Sequence, residues 1–207
     1  MIQAVIWDID GTLIDSEPLH LEALLAVCDR HRVDISDLSD DHFIGVNLFG
    51  VWNALRERFP STLTVQSWVG ELNTIYAAGV AKLVPIPDSL MVVRSLAERG
   101  IRQAAVSNSN RVVVDTNLST LGITDILEFS LSVDDVVNGK PAPELYLKAL
   151  KQLKLRPAHA CAVEDSKTGV VSAKAAGIKV FGFGDPHLSA DLQIANLADI
   201  LPYFEAV

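Results

Sequence analysis

Positive charge is scarce in this sequence. Seventeen lysines and arginines face 26 aspartates and glutamates over 207 residues, a formal net charge of −9 at pH 7. Nucleic acid and anionic membranes both require positive protein surface, so neither is expected as the main partner. An anionic substrate is not excluded, because a metal ion and one lysine invert a local field. Cysteine is scarcer still, with only Cys28 and Cys161. Cys28 falls in a helical pattern and Cys161 in the apolar run Ala160-Cys161-Ala162-Val163, so two buried free thiols are expected rather than a disulfide or a metal pair. No apolar run approaches the roughly 20 residues of a membrane span. No basic segment precedes a hydrophobic stretch near residue 1. The expectation is a cytoplasmic protein, without internal repeats or low-complexity tracts.

The remaining composition is that of a globular chain, 49% hydrophobic and 21% charged, long enough for a substantial core and a smaller accessory domain. Ala4-Val5-Ile6-Trp7 reads as a buried strand. Ser16-Glu17-Pro18 follows as a helix start, with Ser16 as N-cap. From Glu17 to Leu83 the patterns are helical, roughly 19–31, 48–59 and 65–81, with Gly45 and Pro60-Ser61 as punctuation. From Pro85 onward, strands and helices alternate: helix 89–99, strand 103–106, helix 111–121, strand 129–131, helix 144–153, strand 160–163, helix 167–176, strand 180–183. A final helix or helices is predicted over 192–204. The expected fold class is α/β: a Rossmann-like parallel sheet over residues 1–15 and 86–207, with an all-helical domain, 16–85, inserted after the first strand.

The conspicuous polar groups follow strands. Asp8-Ile9-Asp10-Gly11-Thr12 follows the first, Ser107-Asn108 the second, and Glu164-Asp165 the 160–163 strand. Parallel strands direct their C-terminal ends to one rim, where open α/β sheets bind ligands. Asp8, Asp10 and Asp165 would bring two or three negative charges within a few ångströms, which protons or a cation must compensate. The donors are all oxygens, so Mg²⁺ fits better than Zn²⁺. Lys140 adds a positive charge, in a segment stiffened by Pro141 and Pro143. Ser107 and Asn108 offer hydrogen bonds to an anion. A carboxylate nucleophile, a hard cation, a lysine and a hydroxyl together describe phosphoryl transfer. This chemistry does not by itself say which aspartate attacks.

These motifs resemble those of the haloacid dehalogenase superfamily, in its phosphatase and phosphomutase branch. Asp8-Ile9-Asp10-Gly11-Thr12 matches the first motif, Ser107 the second, Lys140 the third, and Glu164-Asp165-Ser166 with Gly169 the fourth. The resemblance covers essentially the whole chain in the expected order and is closest to the sugar-phosphate phosphatase and β-phosphoglucomutase group. It implies that Asp8 attacks phosphorus and forms an aspartyl-phosphate. Asp10 then acts first as acid and later as base. Mg²⁺ is held by Asp8, the Asp10 carbonyl and Asp165, with Glu164 ligating directly or through water. Ser107 and Lys140 hold the phosphoryl oxygens, and Asn108 shapes the cradle.

The resemblance also implies that the helical insertion is a cap that reads the rest of the substrate. The loop Gly45-Val46-Asn47-Leu48 carries that role, and His20 is expected to contact the acid/base residue, with a solvated helix-surface histidine as the competing reading. The other histidines, 31, 42, 159 and 187, are expected at the surface, and Trp7, Trp52 and Trp68 in packing roles. β-Phosphoglucomutases carry a phosphate-gripping arginine three residues after the loop glycine. Leu48 stands there in this chain, so hydrolysis ranks above a sugar-phosphate mutase. Dehalogenation ranks lower, because family dehalogenases lack the second aspartate that Asp10 supplies. A catalytically silent binding protein is the third alternative. The expected partner is a small phosphorylated metabolite, a sugar or polyol phosphate, and the expected state is a monomer.

Overall fold

The structure, a computed structural model, describes residues 2–39, 42–43 and 46–204. In chain order the elements are β1 (Ala4–Trp7), β2 (Ile14–Asp15), α1 (Glu17–Arg30), α2 (Leu48–Leu55), α3 (Val65–Ala78), β3 (Val84–Pro85), α4 (Ser89–Glu98), β4 (Arg102–Val106), α5 (Arg111–Leu121), β5 (Ser130–Leu131), α6 (Glu144–Leu153), β6 (Ala160–Glu164), α7 (Lys167–Ala175), β7 (Lys179–Phe183) and β8 (Leu192–Ile194). They form two compact units, Met1–Asp15 with Val84–Val207, and Ser16–Leu83.

The larger unit is built on a six-stranded sheet in the order β5-β4-β1-β6-β7-β8, every pair parallel. β1 and β6 are buried along their whole length. Strands covered on both faces need no polar alternation, and their sequences are near-continuous apolar runs. On one face Ala4, Ile6, Ala104, Val106 and Ala162 pack with Leu145, Tyr146 and Ala149 of α6 and with Val170 and Ala173 of α7. Gln103 points the other way. It accepts a hydrogen bond from the Trp7 indole at 2.9 Å and donates to the Val93 carbonyl of α4, also at 2.9 Å. The strand order reverses at β1, so the C-terminal ends of β1, β4 and β6 open together on one edge.

The chain terminus departs from the predicted helix. Leu192–Ile194 forms β8 and extends the sheet beside β7, and Leu197–Tyr203 is a 3-10 helix. Leu192-Gln193-Ile194 alternates apolar and polar residues with the period of a strand, and Pro202 lacks the N–H that a regular α-helix requires. One cap also differs, since the Ser16 side chain makes no capping bond. α5 occupies its expected span and starts at Asn110, whose side chain accepts from the Val113 N–H, with Gly122 closing the helix in the left-handed region.

The smaller unit is helical. Ala23, Leu24, Val27 and Cys28 of α1 pack with Val51 and Leu55 of α2 and with Trp68 and Leu72 of α3. Trp52 stacks on Phe59 at 5.9 Å between ring centroids. His31, expected at the surface, is half-buried and bonded to Glu71 at 3.1 Å. Cys28 and Cys161 are buried free thiols.

Candidate active site

Lys140 sits at the centre of the larger unit's polar cluster. The residue is 4% exposed, and its ammonium donates to Asp8 Oδ1 at 2.5 Å, Glu164 Oε1 at 2.6 Å and the Val106 carbonyl at 3.1 Å. These partners come from the ends of β1, β6 and β4. A buried ammonium survives only when its protons are all engaged and a counter-charge is near. Burial alone would lower its pKa, but Asp8 and Glu164 raise it and keep the group charged. Asn108 anchors the backbone of this lysine. Its side chain donates to the Lys140 carbonyl at 3.0 Å and accepts from the Lys140 N–H at 2.7 Å.

The two aspartates of the first motif have different surroundings. Asp8 faces the lysine, whereas Asp10 faces neutral donors. Ser107 Oγ and Ser109 Oγ donate to Asp10 Oδ2 at 2.8 and 2.9 Å, and Asn117 Nδ2 donates to Oδ1 at 2.9 Å. Asp165 accepts from the Thr12 hydroxyl at 3.0 Å. Gly11, at φ +77°, makes room for it, since a β-carbon there would lie 2.1 Å from Asp165 Oδ2. Tyr146, fully buried on α6, donates its hydroxyl to Glu164 Oε1.

The charges in this cluster do not balance. Burial pushes the Asp8 carboxyl well above the ordinary aspartate range. Lys140 pulls it back only in part, and Glu164, Asp165 and Asp10 push it further up. Burial and then Glu164 raise Asp165 to about 6, against the Thr12 hydrogen bond. Tyr146 is likewise raised by burial and by Glu164, so it remains a phenol and a donor. Ligand oxygens of Asp8, Glu164 and Asp165 lie within 4.8 Å of one another. Glu164 Oε2 is buried without a hydrogen-bond partner among the described residues. Three carboxylates with one ammonium, all-oxygen donors and an orphaned carboxylate oxygen fit a hard divalent cation.

The structure thus brings Asp8, Asp10, Ser107, Asn108, Lys140, Glu164 and Asp165 into one cluster. His20 and Asn47 belong to the smaller unit. The His20 ring lies 4.6 Å from that of Tyr76. The Asn47 side chain accepts from the Gly50 N–H at 2.9 Å and caps α2. Gly45 lies outside the described residues. The sequence reading missed Thr12, Ser109, Asn117 and Tyr146 as members of the cluster. A signal existed for two of them. Asn117 and Tyr146 fall on the buried faces of α5 (Val113, Val114, Leu118, Leu121) and α6 (Leu145, Ala149, Leu150, Leu153), where a polar group needs a partner.

Comparison with known proteins adds to this geometry. The family profile described as haloacid dehalogenase-like hydrolase matches residues 5–183. The chain is 29% identical over 203 residues to the bifunctional riboflavin kinase/FMN phosphatase of Arabidopsis thaliana. The match takes in 95% of this chain and 54% of that protein, so the chain spans about half the length of that relative. It is 29% identical over 210 residues to the validoxylamine A 7'-phosphate phosphatase of Streptomyces hygroscopicus subsp. limoneus, covering 97% of this chain and 93% of the relative. CbbY from Rhodobacter sphaeroides, solved in complex with phosphate, shares the fold with a TM-score of 0.89 at 24% identity over 99% of both chains.

Proposed function

The chain belongs to the haloacid dehalogenase-like hydrolases, and from that premise we propose that it is a Mg²⁺-dependent phosphatase of a small phosphorylated metabolite, a sugar or polyol phosphate, working through an aspartyl-phosphate on Asp8. The observation that carries this reading is the 2.5 Å contact between Lys140 and Asp8, with Glu164 and Asp165 around it. A buried carboxylate gripped by a lysine and crowded by other carboxylates can meet an anionic substrate once a divalent cation offsets the excess negative charge.

Asp8 and Asp165, with the Asp10 carbonyl and Glu164 beside them, would hold Mg²⁺, which when bound supplies positive charge against the phosphoryl oxygens. A carboxylate oxygen of Asp8 attacks phosphorus while the ester P–O bond breaks. Asp10 gives its proton to the departing alkoxide. It then takes a proton from the water that cleaves the Asp8–phosphoryl bond and releases phosphate. Lys140 fixes the Asp8 rotamer, and its charge and the Ser107 hydroxyl hold the phosphoryl oxygens. Asn108 acts through the backbone of Lys140.

Reading of the non-phosphate part of the substrate is assigned to the helical unit, with His20, Gly45 and Asn47. The Asn47 side-chain oxygen is committed to the cap of α2, which leaves its amide nitrogen for a substrate. Leu48 opens α2 where a bisphosphate clamp would need a cation. This supports release of phosphate over its relocation on the sugar.

The test is purified protein with Mg²⁺ against a panel of phosphorylated sugars, polyols, nucleotides and short acids, plus an aryl phosphate. Phosphate release abolished by EDTA and by Asp8→Asn is the expected result. Undiminished turnover by Asp8→Asn overturns the assignment of the nucleophile. Conversion of β-glucose 1-phosphate to glucose 6-phosphate with little free phosphate favours the mutase.

A further inference from the structure

Asn117 is a costly residue for its position. It lies in the interior of α5, fully buried, on a face otherwise made of Val113, Val114, Leu118 and Leu121. Asparagine is a poorer helix former than leucine, and a buried amide forfeits its hydration unless it is hydrogen-bonded. Packing alone would be served by another aliphatic side chain. The amide is spent on Asp10, 107 residues away, with Nδ2 at 2.9 Å from Oδ1.

Both serine hydroxyls bind the other oxygen, Oδ2. Two donors on one oxygen fix a point but leave the carboxylate free to turn about it. A donor on Oδ1 sets the plane. The serines also stand beside the proposed phosphoryl site and have a second acceptor once an anion arrives. Asn117 comes from a buried helix face and is not in competition for substrate.

We propose that Asn117 is a positioning residue for the phosphatase reaction. It orients the Asp10 carboxyl so that its proton-bearing oxygen meets the leaving alkoxide and, later, the attacking water. This rests on the assignment of Asp10 as the acid and base. Misorientation of a proton donor costs rate where the leaving group needs a proton and little where it does not.

The test is Asn117→Leu, which keeps the branched shape without the amide, with Asn117→Ser as a smaller second variant should the first fail to fold. Each is assayed on an alkyl phosphate and, by rapid mixing, on 4-nitrophenyl phosphate. For the alkyl ester kcat is expected to fall about 10- to 100-fold, with KM within about twofold of wild type. The first-turnover release of nitrophenolate, which leaves without protonation, keeps its wild-type rate. Wild-type kcat on the alkyl ester overturns the proposal. So does an equal loss in the nitrophenolate burst, the signature of a merely structural role. Asp10→Asn is the control. If it too shows no difference between the two esters, the reading of Asp10 fails, whatever Asn117 does.

Discussion

Gly169 presses so closely on Glu164 that no side chain fits between them: a β-carbon at residue 169 would sit 1.7 Å from Glu164 Oε2. Glu164 is not free to retreat, because its other oxygen is held by Lys140 and Tyr146. The glycine is also held, since its N–H donates to Ser166 Oγ at 3.1 Å at the start of α7. Gly169→Ala must therefore displace either the helix start or the carboxylate. The expected cost is about 1–3 kcal/mol of stability, read as a lower urea midpoint. Phosphate release falls with it, because Glu164 supports the lysine that grips Asp8. A variant as stable and active as wild type would show that α7 yields freely.

Lys140 shares its single positive charge between two buried carboxylates, Asp8 and Glu164. Lys140→Met keeps the bulk of the stem and removes the charge, leaving Asp8 and Glu164 without their cation. Breaking a buried ion pair from one side costs about 3–5 kcal/mol, so a large drop in unfolding free energy is expected together with loss of turnover. Lys140→Arg is not expected to rescue either property. The planar guanidinium fork needs a different space from the compact ammonium, and the Lys140 side chain is 3% exposed. Chemical denaturation of the two variants in parallel checks both statements.

The sheet and its site were legible in the sequence to unequal depth, and the reason is physical. β1 and β6 are buried on both faces, so their apolar runs leave little ambiguity. The residues that end them are the polar ones, and Asp8 and Glu164 were visible on that ground, whereas Lys140 was visible through its charge and its flanking prolines. The groups that orient them were harder to see. Asn117 and Tyr146 act from inside helices, where the apolar period makes the eye supply a packing role. Asn108 looked like an anion donor because its amide has that chemistry. Its clamp on Lys140 depends on a contact 32 residues away in sequence, which no local pattern carries. β8 was missed because three residues with period two are too few to outweigh a helical reading of 192–204.

The raised carboxyls of Asp8 and Asp165 have a consequence for stability in the absence of divalent cations. A carboxyl whose pKa is higher folded than unfolded holds its proton better in the native state. Stability conferred in this way is complete below the unfolded value near 3.8 and declines as pH rises through the folded value, about 6 for Asp165. In EDTA-treated protein the Asp165 contribution is therefore expected to be lost as pH rises from about 4 to 6. Asp8→Asn removes one of the two contributions, so it flattens this decline and raises the melting temperature of the metal-free protein at neutral pH. Added Mg²⁺ should stabilise wild type more than the variant, since the cation stabilises only the fold that binds it. Thermal melts with and without Mg²⁺ test the sign directly. A decline no steeper in wild type than in Asp8→Asn without metal would sink the charge-imbalance account.

Asp135 should behave in the opposite sense. It lies between β5 and α6. Burial there works against its charge, but the Ser132 N–H and hydroxyl and the Arg111 guanidinium, at 2.6 Å, more than offset this and hold the carboxyl down at about 2. The native state binds the proton less well than the unfolded chain, so this contribution is present above the unfolded value near 3.8 and is lost as pH falls towards 2. The shift alone corresponds to an upper limit of about 2 kcal/mol. With the side chain 31% exposed, solvent screening brings the expectation for Asp135→Asn to about 1 kcal/mol at pH 7. The same substitution should leave stability at pH 2 nearly unchanged, because wild type has by then begun to take up the proton. A loss equal at both pH values would mean that the carboxylate contributes through shape and hydrogen-bond count, and that its charge on Arg111 is worth nothing.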